Sequence, residues 1–241
     1  MRNRSALVVI LLCVIALSAL QANAQIPSCA GIRTIADCPD TGCGGSGADP
    51  LLNERKNRTA DAASPERLTL SDIRRLRQPR RWPVGQDRSS LAANEDRAVA
   101  VMGFLNRASV STRESTNCNL SGASNNDNHL DLISRPGDVG ATAVTAEITP
   151  RVRKDGWTIE KLRFLASRNM FVRATGWLTL DTQHISSPLS RSTNWEVHPV
   201  TGFDVCTGTT RQCQQGNNWM PLEDWQIPRA RRSTRRGRGN R

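Results

Sequence analysis

The sequence predicts a mainly β protein: a five-stranded OB-like Greek-key barrel with one helix between strands 3 and 4, flanked by partly disordered termini. Three observations predict it. Five stretches between residues 98 and 206 alternate apolar and polar side chains, the period of a half-buried strand. Residues 157–168 break that alternation, and Ile159, Leu162 and Leu165 follow helical spacing between the third and fourth strands. A stretch of about 110 residues suits one small barrel of this kind. A short β-sandwich with a helical insertion is the alternative.

The elements follow in chain order. Residues 70–77 read as a short helix with Ser71 as its cap, ended by Pro79. The first strand covers 98–105, with Gly103 as a bend or bulge. An Asn- and Ser-rich loop holding Cys118 leads to the second strand at 129–133, where Leu130 and Leu132 face inward. The third strand, 141–149, turns Val144, Ala146 and Ile148 inward and stops at Pro150. Thr158 or Asp155 begins the helix. The fourth strand, 170–180, buries Val172, Ala174, Leu178 and Leu180. A loop with Pro188 follows, then the fifth strand at 194–206, with Trp195 and Val197 inward. Residues 219–227 carry two tryptophans and pack back on the body.

The chain divides into a signal peptide at 1–24, a Cys-containing, Arg- and Pro-rich region at 25–96, the barrel at 97–207, an extension at 208–228 and an Arg-rich tail at 229–241. Arg2 and Arg4 precede an apolar run, and Ala22-Asn23-Ala24 is a small-x-small cleavage pattern. The run is shorter than the roughly 20 apolar residues a membrane span needs. The expected location is therefore periplasmic or extracellular. Cleavage leaves six cysteines: Cys29, Cys38, Cys43, Cys118, Cys206 and Cys213. An even set in an oxidising compartment reads as disulfides, and no C-x2-C pair suggests a zinc ribbon. The expected pairing is one bridge within Cys29, Cys38 and Cys43, and one from Cys118 to Cys206 or Cys213.

Charge is unevenly placed. The formal net charge is +11, but seven arginines fall in the last 13 residues, whereas residues 98–206 carry eleven basic and ten acidic groups. The tail, not the barrel, is thus the expected contact with a polyanion: nucleic acid, an acidic glycan or an envelope component.

The alternation that selects the core also selects what faces away from it. His129 and Asp131, then Glu147, then Arg173, Thr175 and Trp177, then Glu196 and His198 lie on outward faces. In an OB barrel the second, third and fifth strands lie side by side, so His129, Glu147, Glu196 and His198 form one outward patch. Asp127, Asp181 and His184 border it. Imidazoles with carboxylates suit a divalent metal ion, with Asp127, His129, Glu147, Asp181, His184, Glu196 and His198 as candidate ligands. The same groups suit acid–base chemistry near neutral pH. Cross-strand His–Glu pairs also stabilise sheets with no further role, by about 0.2–1 kcal/mol. Arg151, beside Arg153, and Arg173 are candidate anion ligands, and Trp177 is a candidate stacking platform for a base or sugar. The chain has no G-x-S-x-G, H-E-x-x-H or P-loop pattern, which excludes those nucleophile, zinc-protease and nucleotide sites.

Four spaced motifs stand out: Asp127-x-His129, Glu147-Ile-Thr-Pro-Arg151, Gly176-Trp-Leu-x-x-Asp181-x-x-His184 and Trp195-Glu-Val-His-Pro-Val200. Together they resemble the recurring motifs of a group of functionally uncharacterised secreted bacterial proteins. The resemblance covers residues 97–206 and implies kinship, not chemistry. Three functions remain in view. The first is an exported binding protein for nucleic acid or an acidic saccharide, using the His/Glu patch and Trp177. The second is a metal-assisted hydrolase of phosphodiester or related bonds, using the same patch. The third is a structural envelope protein docked through its tail.

Overall fold

Each of five long strands buries one alternate set of side chains, and those sets fill a closed barrel. A computed structural model describes residues 28–45, 47–185 and 191–229. The expected signal peptide, the Pro188 loop and the tail beyond Arg229 lie outside the described residues. In chain order the elements are α1 (Pro50–Lys56), β1 (Glu66–Leu68), α2 (Leu70–Arg75), α3 (Ala92–Glu95), β2 (Ala98–Val110), β3 (Asn128–Ile133) and β4 (Val144–Ile148). Then come α4 (Ile159–Ser167), β5 (Phe171–Leu180), β6 (Trp195–Cys206), α5 (Thr210–Gln214) and β7 (Trp219–Pro221).

The barrel runs β2-β3-β4-β6-β5, and β5 pairs back onto β2 to close it. The β4–β6 contact is parallel and the other barrel contacts are antiparallel. β1 and β7 extend the sheet from β2 and β6. Leu130, Leu132, Val144, Ala146, Ile148, Val172, Ala174, Leu178, Leu180, Trp195 and Val197 are all buried, as alternation predicts. Burial of each Val, Leu or Ile side chain is worth about 1.5–3 kcal/mol. The β5–β6 register slips at Gly176, beside Pro199. A Cβ there would lie 2.2 Å from the Pro199 carbonyl oxygen, so the strands approach this closely only because residue 176 has no side chain.

α4 follows β4 and precedes β5. Its cap is Thr158, whose hydroxyl accepts the Lys161 N–H, and it buries Leu162, Leu165 and Ala166. Trp157, just before it, packs on Phe203 and donates its indole N–H to Glu223 at 2.7 Å. Trp225 packs on Phe164, so the C-terminal extension does return to the body.

The described part of the N-terminal region, residues 28–45 and 47–96, is tied to the rest of the chain by side-chain hydrogen bonds. Asp49 caps α1, Pro50 opens it, and Leu52 is buried. The Asn53 amide donates to the Thr41 carbonyl, and Asn57 donates to the carbonyls of Asp40 and Thr116. Arg58 reaches the Glu95 carbonyl and the Thr179 hydroxyl. Buried Arg88 pairs with buried Glu95, whose other bond comes from the Leu180 N–H. Short helices held by such distant partners leave little periodicity to read. α2 is capped by Thr69 with Asp72 completing a capping box, not by Ser71, because Thr69 is the last extended residue.

The disulfides are Cys29–Cys43, Cys38–Cys118 and Cys206–Cys213. The expected bridge within the N-terminal cysteines is present. The expected link from Cys118 to Cys206 or Cys213 is not. α5 turns back directly after β6 and brings Cys213 to the strand end, while the N-terminal segment lies across the loop that carries Cys118. No described helix is long and apolar enough to cross a membrane.

Candidate functional site

The outward residues of β3, β4 and β6 converge on one network. His129 and Glu147 are direct cross-strand partners, with Nε2 and Oε1 3.3 Å apart. The parallel step from β4 to β6 then sets Glu147 beside His198. His198 Nδ1 lies 3.1 Å from Glu196 Oε1 and 3.3 Å from Glu147 Oε2, and its Nε2 lies 3.4 Å from Asp127 Oδ2. Asp127 takes a 2.8 Å hydrogen bond from the Asn117 amide on its other oxygen.

Glu196 links this set to a second one. Its carboxylate meets Lys56 at 3.3 Å and Arg191 at 2.7 Å. The same two cations meet Asp181, Lys56 at 3.6 Å and Arg191 at 2.8 Å, and His184 Nδ1 lies 2.6 Å from Asp181. All three histidines of the chain therefore belong to one acid–base cluster.

The cluster faces away from the barrel core, yet much of it is not exposed. Asp127, Glu196 and His198 are 0 % exposed. α1 lies over β6 and inserts Lys56, and the segment tied down by Cys38–Cys118 covers the rest. Arg151 holds that segment through the carbonyls of Cys38 and Pro39, and Arg153 holds the carbonyls of Ala123 and Asn126. A cleft of about 830 Å³ stays open beside the cover, lined by Lys56, Glu114, His129, Glu147, Asp181 and His184 among others.

Protonation follows from this burial. Burial, reinforced by Glu147 and Asp127, pushes the Glu114 carboxyl up to about 8. Burial and Glu196 also raise Glu147. Burial works against the charge on Glu196, but Lys56 and Arg191 outweigh it and hold the carboxyl at about 2. Asp181 is lowered for the same reason, against burial, by Lys56, His184 and Arg191. His198 is raised: burial opposes its charge, and Glu147, Glu196 and Asp127 prevail.

Four buried atoms in the cluster have no hydrogen-bond partner: Asp127 Oδ2, His129 Nε2, Glu147 Oε2 and His198 Nε2. Buried polar atoms are rarely left so. Asp127 and Glu147 approach His198 to 3.4 and 3.3 Å, but neither is aligned for a hydrogen bond with it. Asp127, Glu147 and His198 also each offer a donor atom, and the three lie within 4.8 Å of one another. In its neutral form His198 donates Nδ1–H to Glu196, which leaves the Nε2 lone pair for another partner. A carboxylate behind a ligating histidine is the usual support for a metal. The donor set therefore fits a divalent ion.

The remaining candidates go elsewhere. Arg173 pairs with Asp204 and lies over the Trp219 ring. Trp177 donates its indole N–H to the Ala60 carbonyl under the Arg58 guanidinium. Neither lines the cleft, and Arg151 is occupied with the cover. Lys56, Glu114 and Arg191 belong to the site and escaped sequence reasoning. Arg191 had a signal, five residues before Glu196; Lys56 and Glu114 reach the cluster only through the folded cover. Comparison with protein-family models, curated proteins and solved structures found no match.

Proposed function

We propose that the protein is an exported metal-assisted hydrolase whose cleft is built on the outer face of an OB-like barrel, and that it acts on phosphodiester or related bonds. The OB-like reading draws support from the ring order, the parallel β4–β6 step and the place of α4 between β4 and β5. Three disulfides suit an oxidising compartment, in keeping with kinship to the secreted group its motifs resemble. The observation that carries the hydrolase reading is the set of partnerless donors on Asp127, Glu147 and His198, with Glu147 also lining the cleft.

In this reading Asp127, Glu147 and His198 hold the ion, and Glu196 orients His198 through Nδ1. A divalent ion supplies an activated water and polarises the bond to be cut. Lys56 and Arg191 keep Glu196 and Asp181 ionised, so the network stays charged with little rearrangement. Arg113 lines the cleft and is exposed, in position to attract an anionic substrate.

Metal analysis of the purified mature chain tests this directly. One equivalent of zinc or manganese is expected after dialysis, with metal-dependent cleavage of bis(p-nitrophenyl) phosphate. Asp127→Asn should lose both and keep the wild-type circular-dichroism spectrum. A chain that binds no divalent ion at millimolar concentration sinks the reading. The second reading is a binding protein for nucleic acid or an acidic saccharide in the same cleft, and Arg113 at the rim favours it. Tight, metal-independent binding without turnover is the result that would select it.

A further inference from the structure

We infer that His184 is the proton-transferring catalytic residue of the cleft and that Asp181 positions it, a role that rests on the hydrolase reading above. The turn Thr182–His184 follows β5 directly, and Asp181 caps it: Oδ1 accepts the Gln183 N–H at 3.2 Å. The Asp181 backbone N–H is fixed in turn by the Asn194 carbonyl next to β6. The Gln183 amide reaches across to the Gly47 carbonyl on the cover, so the turn is pinned on both sides.

That frame leaves one imidazole suited to proton transfer. His198 is fully buried, and His129, though it lines the cleft, is only 28 % exposed and turns its Nε2 to Glu147; the His184 side chain lines the same cleft, is 54 % exposed and stands clear of the metal-binding set. His184 Nδ1 lies 2.6 Å from a carboxylate that is itself buried, ionised and gripped by Arg191 and Lys56. Asp181 is thus satisfied by three cationic or imidazole partners and stands apart from the metal-binding set. With Nδ1–H donating to Asp181, Nε2 carries the lone pair. A carboxylate that fixes the tautomer and orientation of a half-exposed histidine is the arrangement that general bases use.

The electrostatics agree. The Asp181 hydrogen bond and charge raise His184 above its ordinary value, against burial and the charges of Lys56 and Arg191. The other titratable groups lining the cleft are Arg113, Glu114, His129, Asp131 and Glu147. In the step itself, His184 Nε2 takes one proton from water as the water oxygen bonds to phosphorus. The phosphorus–oxygen bond to the leaving alcohol breaks with its electron pair on that oxygen. The proton held by His184 then passes to the departing alkoxide, so the products are one phosphomonoester and one alcohol.

The test uses the mature chain loaded with manganese and bis(p-nitrophenyl) phosphate as probe. His184→Gln is expected to lower kcat about 10²- to 10⁴-fold, with KM and bound manganese unchanged. Wild-type kcat should rise with pH through the His184 titration, and Asp181→Asn should move that rise to lower pH. If Asp181→Asn does not fold, nitrogen-15 NMR of the wild type still decides: His184 must carry its proton on Nδ1 above its pKa. A metal-dependent wild type with an equally active His184→Gln variant, or an Nε2–H tautomer, overturns the inference and leaves the hydrolase reading standing. A manganese-loaded wild type that cleaves nothing overturns both.

Discussion

Replacing Lys56 with methionine removes the cation that α1 delivers to the buried carboxylates. The Nζ lies 3.3 Å from Glu196 and 3.6 Å from Asp181, and the side chain is 5 % exposed. At an effective dielectric of about 20, an attraction at that distance is roughly 5 kcal/mol per pair before desolvation. Removing one partner of a buried pair costs about 3–5 kcal/mol, because the other charge is left without compensation. Arg191 still reaches both carboxylates, at 2.8 and 2.7 Å, which points to the lower end, about 3 kcal/mol. Methionine keeps most of the stem volume, so a cavity adds little. Urea unfolding at neutral pH measures the change as a shift in midpoint at unchanged m-value. Combining Lys56→Met with Glu196→Gln should restore about 0.5–3 kcal/mol relative to the sum of the single losses. A loss below about 1 kcal/mol would be that of a solvent-screened surface pair and would refute the account of a buried, coupled cluster.

The cluster also sets a pH optimum of stability. Glu196 falls from 4.5 to about 2 on folding, so its contribution is full above about pH 5 and drains as pH drops towards 2. Glu114 and Glu147 are raised above 4.5, so they favour the folded state less as pH climbs past that value. His184 and His198 are raised above 6.5, so their contribution is full below that value and is lost above it. Unfolding free energy should therefore peak between 4.5 and 6.5; a maximum above about pH 8 contradicts these directions. Replacing both Cys38 and Cys118 with serine opens a loop of sequence separation 80, and should cost about 4–5 kcal/mol of unfolding free energy. A calorimetric melt unchanged by that double substitution would mean the bridge does not restrain the cover. Gly176→Ala forces a Cβ to within 2.2 Å of the Pro199 carbonyl, so β5 and β6 must part; a destabilisation of about 1–3 kcal/mol in urea is expected, and none would mean the bulge yields freely.

The sequence by itself determined which side chains turn inward along five strands. Side-chain direction is a local property of extended backbone, so Leu130, Ala146, Val172 and Val197 were legible as core from alternation alone. The complementary set, His129, Glu147, Glu196 and His198, was legible as a group for the same reason, and adjacent strands bring it together. Only the tertiary structure decided that outward does not mean exposed. Burial depends on what packs over a face, and the cover comes from α1 and a disulfide-held segment whose Cys38 stands 160 residues before His198. That is why Lys56 and Glu114 joined the site unannounced, and why Arg151 proved to be a clasp for the cover. Cysteine pairing has the same origin: alternation says nothing about which loops meet. The chain's local periods specify faces, and long-range packing decides which of those faces water reaches.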